Sequence, residues 1–394
     1  MSDKGRREFF KDVAKYCGAG VAALGLLNLH KTREAHAIDD LDYPSTSNLY
    51  KNRDAVLDAA GEFIKNANLP EGWFTKEPEE FINDMKPVVW SHYHKNWYTA
   101  GNKSLVGMIQ SLPQSKDLKG DIKRAVDKIG GLGKSLKKSD RIWIKPNWNS
   151  GDPWPGCGTD VRFLKALVEV LQDEGYGKLT VGESCGPWGP TKRVAKILGM
   201  DTMLKEAGVP VIYFDEAKWM HITNKNAEYL GRWGGGDGTV AYPESMRNFD
   251  KIIYTPLMKT HLLGQITMSL KLSVGILHRA DRNKHLHAFN HLFCAQQAAE
   301  INLPLKPDLI IMDGRRVLVS GGPMWGEEVS PGVILSSGDQ VAMDVIGTQM
   351  IKEWTHEVPN RLGGDPWKHH TIAQAVKVGA GYAKGPGDLK LLVM

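Results

Sequence analysis

From Asp140 onward the chain repeats one pattern: a short apolar run, then a stretch with helical spacing. "DRIWIKPNW" (Asp140–Trp148) is the first such run, closed by Pro146. "DVRFLKALVEVLQDEG" then reads as a helix stopped by Gly175 and "KLTVGES" as a strand. "TKRVAKILGM" and "DTMLKEAG" read as helices, and "PVIYFD" and "DKIIYTPLMKTH" as strands. "HAFNHLFCAQQAAEIN" (helix), "PDLIIMDG" (strand) and "DQVAMDVIGTQMIKEW" (helix) complete the series. Continuous apolar runs bounded by turn residues mark buried strands, and 3.6-residue spacing marks helices that bury one face. Their alternation predicts an α/β fold: a mostly parallel or mixed sheet with helices on both faces.

Upstream, "PVVWSHYH" (Pro87–His94) reads as a strand and "DIKRAVDKIGGLGKSL" (Asp121–Leu136) as a helix that its glycines stop. "GRWGGGDGTVAYPESM" (Gly231–Met246) is glycine-rich, a loop or small hairpin. Residues 38–86 are polar with short helical patterns such as "DAVLDAAGEFIKNA", giving an N-terminal helical segment ahead of an α/β domain over 87–394.

Residues 1–37 have a different character. "GRREFFK" (Gly5–Lys11) precedes the apolar run "YCGAGVAALGLLNL" and the small-x-small site Ala35-His36-Ala37. Charge, apolar run and cleavage site together describe a secretory signal. The Arg6-Arg7 pair makes it resemble a twin-arginine signal, with Gly5 where such motifs usually carry Ser. The apolar run falls short of the ~20 residues that span a bilayer. The expectation is export by the twin-arginine translocation machinery to the periplasm or another extracytoplasmic location, with no stable membrane span after cleavage.

A formal charge of +5 is mild, and the cations are dispersed rather than gathered in a basic stripe, which argues against nucleic-acid binding. Beyond Cys17 in the signal, Cys157, Cys185 and Cys294 remain. A Cys157–Cys185 disulfide with one thiol left over suits an oxidising compartment. Cofactor signatures for NAD, haem and cysteine-motif iron–sulfur clusters are missing: there is no Rossmann glycine spacing, no P-loop, no CxxCH and no CxxC.

In open α/β sheets, ligands bind beyond the carboxyl ends of the strands. The residues expected there are Lys145 and Asn147, Glu183 and Ser184, Lys259, Thr260 and His261, and Asp313. Lys271, Arg279 and Arg282 follow the third of these strands, and Trp148, Trp154, Trp188 and Trp325 lie in the same loops.

The motifs "IKPNW", "VGES", "PLMKTH" with "TMSLKLSVGIL", "PDLIIMDG", "GGPMWG" and "GDQVAMDVIG" stand in the order seen in the family called domain of unknown function 362, which the chain resembles over roughly Pro87–Gly347. The family's Lys-Thr-His falls on Lys259, Thr260 and His261, and its second lysine on Lys271; Leu272 stands where the family usually has Asn. Many relatives resemble fusions to a ferredoxin module, whose clustered cysteines this chain lacks.

Three chemistries compete. Lys145, Lys259 and Lys271, with Arg279 and Arg282, suit a small anionic ligand, with His261 as general acid/base; the same cations would also suit internal ion pairs with Glu183, Asp313 and Asp344. His287, His291 and Cys294 fall at i, i+4 and i+7 on one helix face, suiting a transition metal or ordinary core packing. Ser184 sits in Gly182-x-Ser184-x-Gly186, but the prolines that follow delay the helix a nucleophile elbow needs. The favoured reading is an enzyme acting on a small anionic substrate, and the alternative is a non-enzymatic protein that holds a metal or cofactor.

Overall fold

The computed structural model describes residues 86–393, apart from 152–155, 187–189, 233–235, 262–263, 283–285, 287–292, 325 and 355–363. The signal at 1–37 and all but the last residue of the helical segment at 38–86 lie outside the described residues.

The described strands are β1 (Thr99–Ala100), β2 (Lys103–Gln110), β3 (Ile142–Lys145), β4 (Leu179–Glu183), β5 (Val211–Tyr213), β6 (Trp219–Thr223), β7 (Thr239–Pro243), β8 (Lys251–Tyr254), β9 (Leu257–His261), β10 (Gln265–Thr267), β11 (Leu309–Leu318), β12 (Glu328–Val329), β13 (Val333–Ser337) and β14 (Leu389–Val393). Twelve of them form one sheet whose main path runs β1-β2-β13-β11-β8-β3-β4-β5; β6 and β7 form a separate hairpin. Strands β5, β4, β3, β8 and β11 are parallel, and β13 runs antiparallel to both β11 and β2. The fold is α/β with a mixed sheet.

The helices are α1 (Leu118–Lys128), α2 (Val161–Asp173), α3 (Thr191–Ile197), α4 (Met200–Glu206), α5 (Ser269–Leu272), α6 (Arg279–Arg282), α7 (Cys294–Glu300), α8 (Gln340–Lys352) and α9 (His370–Val378). Side chains alternate across a strand, so each sheet face has its own core. Ile142 and Ile144 pack with Val126 of α1, Leu167 of α2 and Leu204 of α4. Trp143, between them, packs with the core that holds Ala298 of α7, Val345 of α8 and Ile372 of α9. Each fully buried aliphatic side chain contributes roughly 1.5–3 kcal/mol, so the two-sided burial of the parallel strands dominates the fold. Among the described residues no helix is long and apolar enough to cross a membrane.

Several local expectations need correction. "PVVWSHYH" is an arm rather than a strand: only His92 forms a bridge, to Leu305, and Val89 is fully exposed. "DKIIYTPLMKTH" is two strands, because Pro256 has no N–H to donate to a ladder; β8 pairs β3, whereas β9 pairs β10 and the far half of β11. The glycine-rich segment contributes β7 to the hairpin. Strands β2, β13 and β14 were not expected.

Candidate functional site

Parallel neighbours β3 and β4 end on Lys145 and Glu183, so both residues emerge at the carboxyl edge. Lys145 Nζ donates to Glu183 Oε2 at 2.6 Å and to the Pro146 carbonyl at 2.8 Å. The Glu183 carboxylate also accepts the N–H groups of Trp148 and Ser184. Both side chains are buried, at 1% and 2% exposure. Burial pushes Lys145 down and Glu183 up, and each partner opposes the other's shift. A Cβ on Gly275 would lie 2.3 Å from Glu183 Oε1 and 2.7 Å from Lys145 Nζ, so only glycine lets this backbone close over the pair.

Arg282, on α6, approaches the same carboxylate. Its guanidinium donates to the Cys185 carbonyl at 2.7 Å, the Ser184 carbonyl at 3.3 Å and Ser184 Oγ at 2.6 Å, while its Nε has no partner among the described residues. Burial pulls Arg282 down to about 10, with Glu183 and the Cys185 thiol opposing. Ser184 Oγ is thus an acceptor for arginine, which is not the arrangement of an activated nucleophile. Arg279 sits one turn earlier, half-buried, and its charge adds to the fall at Arg282.

On β9, Lys259 and His261 share one face and Thr260 takes the other. Thr260 Oγ1 donates to the Leu318 carbonyl at 3.2 Å and ties β9 to β11. Lys259, fully buried, donates to the carbonyls of Cys157 and Pro323. Among the described residues no carboxylate pairs with it, and burial brings it down to about 8, with Lys271 pushing the same way. The Pro323 loop can approach because Gly322 has φ +72° and a Cβ there would lie 2.2 Å from the Thr260 carbonyl. His261 Nδ1 accepts the Gly264 N–H at 3.0 Å. That bond assigns the remaining ring proton to Nε2.

Lys271, on α5, is 7% exposed and makes no hydrogen bond or ion pair among the described residues. Burial lowers it, Arg282 lowers it further, and the Cys294 thiol opposes both. Lys259, Lys271, Arg282 and Lys145 therefore form a chain of buried cations close enough to perturb one another, with Glu183 as the carboxylate among them.

Other expected residues are placed differently. Asp313 is held by Arg315, whose Nε and Nη2 donate to its two oxygens at 2.9 and 2.7 Å. With Asp160 these two line a separate cleft of ≈ 330 Å³ beside Gly156, Gly158 and Leu257. The charge relation was readable: Arg315 follows Asp313 by two on one strand, hence on one face. Asp344 caps α5 instead of pairing with a lysine: it accepts the N–H groups of Ser269 and Leu270 and the Ser269 hydroxyl, and burial pushes it up to about 7. Asn147 is buried beside the site, and its N–H donates to Thr159 Oγ1. Cys157 and Cys185 are free thiols, correcting the expected disulfide. Each has its own neighbour, Ser150 Oγ at 3.5 Å for Cys157 and the Gly186 carbonyl at 3.2 Å for Cys185. Cys294 opens α7 beside Lys271, whereas His287, His291, Trp154, Trp188 and Trp325 lie outside the described residues. Trp148 is fully buried.

Residues 142–349, more than half of the 394-residue chain, match the family model described as Domain of unknown function (DUF362). The chain belongs to this family. The DUF362 region holds every cation of the edge site. The chain is 24% identical over 267 residues to thylakoid-associated protein sll1697 from Synechocystis sp. (strain ATCC 27184 / PCC 6803 / Kazusa), over 64% of this chain and 77% of that one. The solved lactate racemase apoprotein from Thermoanaerobacterium thermosaccharolyticum aligns with 58% of this chain and 55% of its own, at 11% identity and a TM-score of 0.24. The chain spans only about half of that protein, and the likeness carries no functional weight.

Proposed function

We propose that this DUF362 protein binds a small polyanion at the carboxyl edge of its sheet and acts on it as an enzyme. The observation that carries the reading is the charge imbalance of the buried edge. Among the described residues, Lys145 pairs with Glu183, Arg282 feels Glu183 and Asp215 without an ion pair to either, and no carboxylate acts on Lys259 or Lys271. An uncompensated buried ion costs several kcal/mol, and several of them approach the whole stability of a domain, about 5–15 kcal/mol. A ligand with two or three negative charges, on phosphate or carboxylate groups, removes that cost. Arg282 offers a planar fork and the lysines offer point charges. His261, with its proton on Nε2, is suited to general acid/base work on the held ligand.

The reading of a metal held by His287, His291 and Cys294 is less favoured, because Lys271 beside the Cys294 thiol repels a metal cation. The resemblance of residues 1–37 to a twin-arginine signal supports a periplasmic site of action.

Calorimetric titration of the full chain with inorganic phosphate, pyrophosphate and citrate tests the reading. One saturable site in the wild type, weakened at least tenfold in Lys259→Met, is expected; equal heats in both proteins, or none in either, overturn it. For the enzymatic part, turnover of whichever anion class binds is expected to fall in His261→Gln while binding is retained; unchanged turnover removes His261 from the chemistry.

A further inference from the structure

A second cluster lies at the opposite, amino edge of the sheet, where Lys251 opens β8 and Asp308 directly precedes β11. The arm residues His92 and His94 are two apart on extended backbone, so both imidazoles face the same way. His92 Nε2 lies 2.8 Å from Asp308 Oδ2, and His94 Nε2 lies 4.0 Å from Asp308 Oδ1. One ligand atom from each of the three residues falls within 4.8 Å of the others. The rings meet edge to face with centroids 4.5 Å apart.

We propose that His92, His94 and Asp308 form a binding site for a divalent transition metal such as zinc. Holding the arm to the sheet needs only the His92–Asp308 bond, supported by the His92 N–H to the Pro304 carbonyl and the Lys306 N–H to the His92 carbonyl. That role leaves His94 unexplained. Its nitrogen is aimed at the same carboxylate but stands too far away for a hydrogen bond. Zinc–nitrogen and zinc–oxygen bonds are about 2.0–2.2 Å, so ligand atoms roughly 3–4 Å apart bracket an ion lying between them. Two imidazoles and one carboxylate favour zinc, copper or nickel over magnesium or calcium. Three protein ligands leave a fourth position for water, and His94, 38% exposed, keeps that side open.

The surroundings already orient the carboxylate. Asp308 Oδ1 accepts from Lys251 Nζ at 2.8 Å and Oδ2 accepts from the Ile252 N–H at 3.0 Å. Such outer contacts fix the ligands of metal sites. The Lys251 charge also opposes a metal cation, so the site is one of moderate affinity.

Titration of the full chain with Zn²⁺ in a non-chelating buffer, followed by a competing chromogenic chelator, tests the proposal. Co²⁺ absorption provides the second readout. One equivalent of Zn²⁺ is expected, with a Co²⁺ spectrum lacking thiolate charge transfer. His94→Gln, at an exposed position, should leave metal-free thermal unfolding unchanged and weaken Zn²⁺ at least tenfold. No stoichiometric Zn²⁺ in the wild type, equal affinity in His94→Gln, or loss of binding only in Cys294→Ser would each overturn the assignment.

Discussion

Lys271 is the residue on which the edge site turns. It is buried near Arg282, Lys259 and the Cys294 thiol, and no carboxylate acts on it among the described residues. Replacing an uncompensated buried ion by an apolar side chain of similar volume is often stabilising, by about 1–4 kcal/mol. Lys271→Met is therefore expected to raise the thermal midpoint of the ligand-free protein while abolishing anion binding. Thermal unfolding with and without inorganic phosphate measures both; a variant that loses stability without phosphate contradicts the placement. Lys259 sets the pH dependence. Its folded value, about 8, lies below the usual 10.5, so from pH 8 to 10.5 the unfolded chain binds more protons than the folded one. Ligand-free stability should therefore rise across that window. A bound anion raises the Lys259 value, so anion affinity should be full below pH 8 and fall as pH rises through it. Affinity measured at pH 7 and pH 9 checks this, and a flat profile removes Lys259 from the site.

At the scale of elements, the core strands were legible because β3, β4 and the first half of β11 are short apolar runs between helices of clear period. Other elements were hidden for physical reasons. Strands β2, β13 and β14 are defined by partners far away in sequence: β13 lies between β2 and β11, and β14 lies parallel to β2. The "SHYH" arm has strand composition but only one bridge, so its histidines read as strand residues and their partner Asp308 could not be found by spacing. The lysines of the edge were legible because strand ends are where parallel sheets present ligand groups. The contact of Asp344 with the start of α5 was not legible, because a carboxylate's nearest donor is decided by local backbone, whereas that of Asp313 with Arg315 follows from their spacing of two on one strand. Asp339 shows how much one such carboxylate organises. It caps α8 through the Val341 N–H and also accepts Ser104 Oγ and the N–H groups of Tyr382 and Ala383. Asp339→Ala strands these donors, at about 1–3 kcal/mol for each buried group left unsatisfied. Denaturant unfolding should show a loss of several kcal/mol; a loss under 1 kcal/mol would mean that water replaces the carboxylate.

At the scale of the whole molecule, the sheet separates two kinds of charge. Its carboxyl edge concentrates buried cations, and its amino edge gathers two imidazoles around one carboxylate. The net charge of +5 over 394 residues hints at neither, because a field at a site depends on which charges burial leaves uncompensated. The central claim is that an anion belongs between Lys259, Lys271 and Arg282. The most direct measurement is an anomalous-difference map from crystals of the full chain grown with selenate. The expected result is a selenium peak within hydrogen-bond reach of Lys271 Nζ and the Arg282 guanidinium, absent from crystals of Lys271→Met. A map with no peak at that edge, and carboxylates closing on all four cations instead, would contradict it.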